Sequence, residues 1–271
     1  MSRTVVFLHG AWMTPACWEP FRSYFEERGH KTLAPAWPGK ERSVEEIRAD
    51  SSPLAGLGGQ EIIDHYAGII EAQPEPPVLI GHSFGGLFVQ VLLSRGLGAA
   101  GVAIDSAPPK GVLATQPSAF RALGSIVANP ANRKRVVHWT FEQFRYAFMH
   151  TAPEEQVRLA YEQFVTPETG RIFFQGALSG VDRNSPFEVD FAKADRAPLL
   201  MIAGELDRIV PASLNRANLR RYDQTAAAVD FVEFSGRTHW IIAQDGWQEV
   251  AAHAAQWIDS RMPARPGDGT A

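Results

Sequence analysis

Gly81-His82-Ser83-Phe84-Gly85, with a further glycine at Gly86, is the stretch of this chain whose residue types and spacing point most directly to chemistry. A short apolar run, Val78 to Ile80, precedes it and reads as a buried parallel strand, and a helical pattern follows as far as Arg95-Gly96. A serine on so tight a strand-to-helix turn has a strained backbone and a presented hydroxyl, and side chains at 81 and 85 would collide with neighbouring segments. The helix N-terminus aims its N–H groups at the same spot. A serine hydroxyl is a weak nucleophile until a base takes its proton, and a histidine base needs an acid to orient it.

The chain has 8 histidines to supply that base. His9 and His82 precede or adjoin Ser83; His30, His65 and His253 fall on helices or helix ends; His138 and His150 lie in a helical block. Only His239, in Gly236-Arg237-Thr238-His239-Trp240, follows the last strand on a loop, which suits the chain order serine, acid, histidine. For the acid, Asp207 in Gly204-Glu205-Leu206-Asp207 follows the penultimate strand, with Glu205 beside it facing solvent or capping a helix. Asp105, after the preceding strand, is the rival; its plainer role is a turn residue bonding local backbone N–H groups. Acyl transfer puts negative charge on the former carbonyl oxygen, which needs preorganised donors. The expected donors are Phe84 N–H and Ala11 N–H, the latter from His9-Gly10-Ala11 just beyond the first strand.

Six strands must position these groups: Thr4–Leu8, Lys31–Ala34, Val78–Ile80, Gly101–Asp105, Pro198–Ala203 and Val229–Phe234. Helical patterns at 21–28, 60–71, 211–222 and 247–258 alternate with them, which argues a mostly parallel sheet with helices on both faces. Ligands of such sheets bind beyond the carboxyl ends of the strands, and His9, Ser83, Asp105, Asp207 and His239 all follow predicted strands. From Gly111 to Asp190 the alternation stops, no strand is evident, and aromatics are dense. Helices are expected there at 141–149 and 153–164, the second with Thr151 as its N-cap. The expected organisation is a core of residues 1–110 and 191–262, an inserted helical cap of 111–190, and a mobile tail of 263–271. Trp12, on an unusually apolar loop, is expected to line an acyl or alcohol pocket with Trp139 and Phe144 from the cap.

Composition narrows the function classes. A net charge of −4 and a pI near 6.1 give no reason to expect nucleic acid or an anionic membrane as partner. The single cysteine, Cys17, excludes an internal disulfide framework and a thiolate metal cluster, and reads as an apolar filler. No apolar run approaches the ~20 residues of a membrane span, and no signal-peptide pattern precedes the first strand, so a cytoplasmic location is expected.

His9-Gly10-Ala11-Trp12, Gly81-His82-Ser83-Phe84-Gly85-Gly86, Gly204-Glu205-Leu206-Asp207 and Gly236-Arg237-Thr238-His239-Trp240, in this order over nearly the whole chain, resemble the α/β-hydrolase superfamily, in particular its cap-bearing esterase-like members. The resemblance implies Ser83 as nucleophile, Asp207 as acid, His239 as base, and Ala11 and Phe84 at the oxyanion hole. The family's N-terminal hairpin is absent, because Val5 to Leu8 already holds the third-strand position. The implied activity is cleavage of carboxylic esters of small to medium apolar molecules through an acyl-enzyme on Ser83, with no metal or organic cofactor. Ser83 argues against the dehalogenases and epoxide hydrolases of the superfamily, which attack with an aspartate. Trp240, where plant-type hydroxynitrile lyases carry a lysine, disfavours that chemistry too. Perhydrolase or carbon–carbon bond hydrolase chemistry on the same triad stays open, as does a non-catalytic ligand receptor. The expected partner is a small-molecule ester, with a homodimer among the open oligomeric states.

Overall fold

Continuous runs of valine, isoleucine and leucine form strands that are covered on both sides, as parallel sheets require. The computed structural model describes residues 2–223 and 225–262. Along the chain, β1 (Thr4–Leu8) leads through a 3-10 turn at Pro15–Trp18 to α1 (Glu19–Glu26) and β2 (Lys31–Leu33). A short α2 (Val44–Ala49) and a longer α3 (Gly59–Glu71) precede β3 (Val78–His82), which passes into α4 (Phe84–Ser94) and β4 (Ala100–Ile104). Then come α5 (Pro117–Val127), β5 (Val136–Val137), α6 (Phe141–Phe148), α7 (Glu154–Phe164), β6 (Glu168–Thr169) and α8 (Arg171–Leu178). The described chain closes with β7 (Leu199–Gly204), α9 (Ala212–Leu219), β8 (Val229–Phe234) and α10 (Trp247–Arg261).

The main sheet has 6 strands in the order β2-β1-β3-β4-β7-β8, and every pairing in it is parallel. The register aligns Leu8 with Gly81, His82 with Ile104, and Ile104 with Ile202. The carboxyl ends of β1, β3, β4 and β7 therefore stop at one level, and the residues just beyond them share one edge. β1, β3, β4 and β7 are almost wholly buried. The edge strand β8 is half-buried along its length and carries Asp230 and Glu233 among apolar residues, charges that discourage further strand pairing. α4, apolar on nearly every side, lies against β1, β3 and β4, flanked by α3 and by α9, whose Asn218 bonds Gln90 of α4 at 3.0 Å. α1 and α10 pack together over the opposite face, with Phe21 against Trp247.

The segment between β4 and β7 differs from the expected strandless block. β5 and β6 pair antiparallel, Val136 with Thr169 and Val137 with Glu168. Two-residue strands are too short to show a period of two, so no sequence pattern announces them. α7 is preceded by Pro153 as N-cap, not Thr151, with Glu154 and Glu155 in its first turn complementing the helix dipole. Residues 263–271, expected as a mobile tail, lie outside the described residues.

Candidate active site

Ser83 stands between β3 and α4 with φ 58° and ψ −120°, a conformation that residues carrying a Cβ seldom adopt. Its amide donates to the Ile104 carbonyl at 3.0 Å, and its carbonyl accepts from Ala107 N–H at 3.0 Å and Leu87 N–H at 3.2 Å. The turn closes because a Cβ on Gly81 would run into the Gly85 carbonyl, and one on Gly85 into the Leu8 carbonyl. A Cβ on Gly10 would come within 2.8 Å of the Ser83 Cβ, so the loop after β1 lies directly against the serine.

That loop is oriented by His9. Trp37 N–H donates to His9 Nε2 at 3.2 Å, which leaves Nδ1 as the protonated nitrogen donating to the Gly10 carbonyl at 2.8 Å. Burial, then the nearby Lys40 charge, lowers the His9 pKa to about 3, so the ring stays neutral and keeps this tautomer. With the Gly10 carbonyl held, the Ala11 N–H of the same peptide faces the other way. Among the described residues no acceptor takes Ala11 N–H or Phe84 N–H.

His239 follows β8 on a loop pinned by Gln244, whose Oε1 accepts from Thr238 N–H at 2.8 Å and Thr238 Oγ1 at 3.0 Å. Its Nδ1–H donates to Asp207 Oδ2 at 2.5 Å, with both side chains fully buried. Asp207 Oδ1 accepts from Ile209 N–H at 2.7 Å and Val210 N–H at 2.9 Å, so the carboxylate is fixed at both oxygens. Nε2 of His239 is buried and has no hydrogen-bond partner, Ser83 included. Asp105 behaves differently from Asp207. It sits at φ 44° after β4, and its Oδ1 accepts from Gly204 N–H at 2.7 Å, on the neighbouring strand and not in its own turn. Burial, then the Asp207 charge, pushes its pKa well above the ordinary carboxyl value. His82 is buried with its ring centroid 4.6 Å from that of His239; burial, then His239, lowers its pKa well below the ordinary value. Donor atoms of His82, Asp105 and His239 lie within 4.8 Å of one another.

A comparison with protein families matches residues 5–253 to the alpha/beta hydrolase family. The chain belongs to the alpha/beta hydrolase family. A sequence comparison with curated proteins finds no match. Among solved structures, a pyrethroid hydrolase from Sphingobium faniae JZ-2 superposes with a TM-score of 0.68 at 19% identity, covering 96% of this chain and 98% of that one. An extracellular alpha/beta-hydrolase from a Paenibacillus species gives a TM-score of 0.67 at 19% identity, covering 94% and 98%. A methylesterase from Arabidopsis gives 0.67 at 16%, covering 95% and 99%. At these identities the likeness is one of fold.

In this family member aromatic rings gather against the loop after β1 and the start of α4. Trp12, at φ 62°, stacks on Trp139 with centroids 3.5 Å apart and on Phe173 at 4.6 Å. Phe84 meets Phe173 edge to face at 5.7 Å. Phe144, also expected near the pocket, is fully buried against Phe148 at 5.1 Å and Trp240 at 6.2 Å. Phe148, which the sequence did not single out, places its ring edge on His239 at 4.7 Å, and its carbonyl accepts from Trp240 N–H at 3.2 Å. Nothing in the sequence separates Phe148 from the other aromatics of its segment. Ser83 is 7% exposed, and two surface hollows, one beside Trp240 and one beside Arg171, do not reach it. Cys17 is buried, and burial pushes its thiol pKa up, away from reactivity.

Proposed function

We propose that the protein is a serine hydrolase that cleaves carboxylic esters of small to medium apolar molecules. The observation that carries this reading is His239, held at Nδ1 by buried Asp207 while Nε2 has no partner, at the same sheet edge as the strained Ser83. His239 Nε2 takes the Ser83 proton as Oγ attacks the ester carbonyl, and Asp207 stabilises the imidazolium that forms. The oxyanion meets Ala11 N–H and Phe84 N–H, each such donor being worth about 2.7–4 kcal/mol of transition-state stabilisation. Imidazolium then protonates the leaving alcohol. Water, deprotonated by the same nitrogen, releases the acid from Ser83. Trp240, where a plant-type cyanohydrin lyase carries a lysine beside the base, is packed by Phe164 at 5.4 Å and by Phe144. The pyrethroid hydrolase and the methylesterase among the fold relatives agree with ester cleavage.

Residues 111–190 serve in this reading as a cap whose rings close over Ser83, and substrate entry parts the Trp12–Trp139 stack. The same closure favours a second reading, a ligand receptor in which the serine is not turned over. Steady-state assays with p-nitrophenyl esters of graded chain length decide between them. Wild-type protein should show saturable turnover that Ser83→Ala loses; ester binding without turnover establishes the receptor.

A further inference from the structure

Apart from Asp207–His239, the Lys40–Glu168 pair is the only ion pair among the described residues with both side chains fully buried. It joins the loop after β2 to the segment between β4 and β7. Lys40 follows the turn after β2, and Glu168 opens β6 in the segment over the sheet edge. Burial lowers the Lys40 pKa, and the Glu168 charge opposes that shift. Replacing such a pair by apolar residues is often neutral or stabilising, so fold stability is a weak reason for its presence.

Its remaining bonds reach the loop after β1 and residues 166 and 169 beside Glu168. The Lys40 ammonium has three protons and three acceptors: Glu168 Oε2 at 2.6 Å, Thr166 Oγ1 at 3.1 Å and the Met13 carbonyl at 3.1 Å. Glu168 Oε2 also accepts from Trp12 N–H at 3.0 Å, and Glu168 Oε1 accepts from Thr169 N–H at 2.7 Å. Thr166 N–H donates to the Trp12 carbonyl at 2.9 Å. The amide and carbonyl of Trp12 and the carbonyl of Met13 are thus all taken by residues 40, 166 and 168. Trp12 has φ 62°, a left-handed conformation that a bulky side chain keeps only when its surroundings enforce it. On the other side of Ala11, the Gly10 carbonyl is held by His9. Ala11 therefore lies between two peptide planes that are each fixed from outside.

We propose that Lys40 and Glu168 form a positioning clamp that holds the Ala11–Trp12–Met13 backbone so that Ala11 N–H faces the oxyanion and the Trp12 ring roofs Ser83. The proposal rests on the hydrolase reading above. Neither residue touches substrate; both act through the backbone of the loop after β1. Because residues 166 and 168 belong to the segment that carries Trp139, the clamp also ties the placement of that segment to the donor.

The test compares wild-type protein with Glu168→Gln and with the apolar pair Lys40→Met/Glu168→Leu, using p-nitrophenyl acetate turnover, inhibition by a trifluoromethyl ketone and by the product alcohol, and melting temperature. Loss of one oxyanion donor costs about 10²–10³ in kcat, so misplacing it is expected to lower kcat by about tenfold or more, with KM changed by less than about threefold. The Ki of the trifluoromethyl ketone, whose adduct carries the oxyanion, should rise in step with the loss in kcat/KM, while that of the alcohol stays put. A purely structural pair would move the melting temperature and leave that split untouched. Wild-type kcat and ketone affinity in a folded Lys40→Met/Glu168→Leu variant would overturn the clamp. Should that variant fail to fold, Glu168→Gln decides in the same way, and full kcat in it overturns the clamp as well. An active wild type with fully active variants sinks the clamp alone, whereas a wild type inactive on esters sinks the hydrolase reading and the clamp with it.

Discussion

At Asp207, one carboxylate oxygen takes two backbone N–H donors and the other takes the His239 imidazole, so the ionised form is satisfied on every side. Asp105 lies nearby with a single donor, Gly204 N–H, an unpartnered second oxygen, and a pKa raised by burial and by Asp207. The two acids thus divide: Asp207 orients His239, while Asp105 is pushed toward its protonated form. Asp207→Asn should lower kcat by about 10⁴, because the amide no longer selects the tautomer that leaves Nε2 free. Asp105→Asn keeps the shape of the side chain and an oxygen for Gly204 N–H, and should retain most of the activity. A larger loss in Asp105→Asn than in Asp207→Asn would assign the acid to Asp105. Ser83→Ala and His239→Ala should each remove nearly all turnover, and the double variant should be no worse than either, since the groups act as a unit.

At the level of elements, the segment from α5 to α8 contributes rings that pack on the loop after β1, on α4 and on His239: Trp139 on Trp12, Phe173 on Trp12 and Phe84, Phe148 on His239. Trp139→Ala opens space beside Trp12 without altering Ser83, Asp207 or His239. Since one methylene in an apolar pocket is worth about 1–3 kcal/mol, it should shift kcat/KM toward longer acyl chains by at least about tenfold relative to acetate. An unchanged chain-length profile would place the acyl pocket elsewhere. The elements themselves were largely legible in the sequence. β1, β3, β4 and β7 are buried on both faces and so read as unbroken apolar runs, and β3–Ser83–α4 is marked by glycines that the close backbone contacts require. What stayed hidden depends on contacts between distant parts of the chain. β5 and β6 are too short for a periodic signal, and a lysine or glutamate in sequence reads as solvated, whereas Lys40 and Glu168 are buried because each supplies the other's charge. The Trp12–Trp139 stack, likewise, is a tertiary fact.

For the molecule as a whole, two buried neutral histidines set the response to acid. His9 titrates near 3 and His82 well below its ordinary value in the fold, whereas in the unfolded chain both take up a proton below about 6.5. Over that interval the unfolded state binds more protons, so stability is full at neutral pH and falls as pH drops from about 6.5 toward 3, by up to about 1.4 kcal/mol per pH unit for each ring. Asp105, whose pKa is raised in the fold, acts in the opposite direction, costing stability as pH rises above its unfolded value near 3.8 through its raised folded one. Two histidines against one aspartate leave a net loss in acid. Melting temperatures between pH 7 and pH 4 should therefore fall less steeply in His82→Gln than in wild-type protein; parallel slopes would show that His82 is not held neutral.

The most direct test of the central claim is the site of modification by diethyl p-nitrophenyl phosphate, read by peptide mass mapping alongside residual ester turnover. An acyl-transfer serine activated by His239 predicts one phosphoryl adduct per chain, on Ser83, with turnover lost in proportion to labelling and no adduct in His239→Ala on the same timescale. Ester turnover that persists while Ser83 is fully labelled, or an adduct on another residue that accounts for the loss of activity, would contradict it.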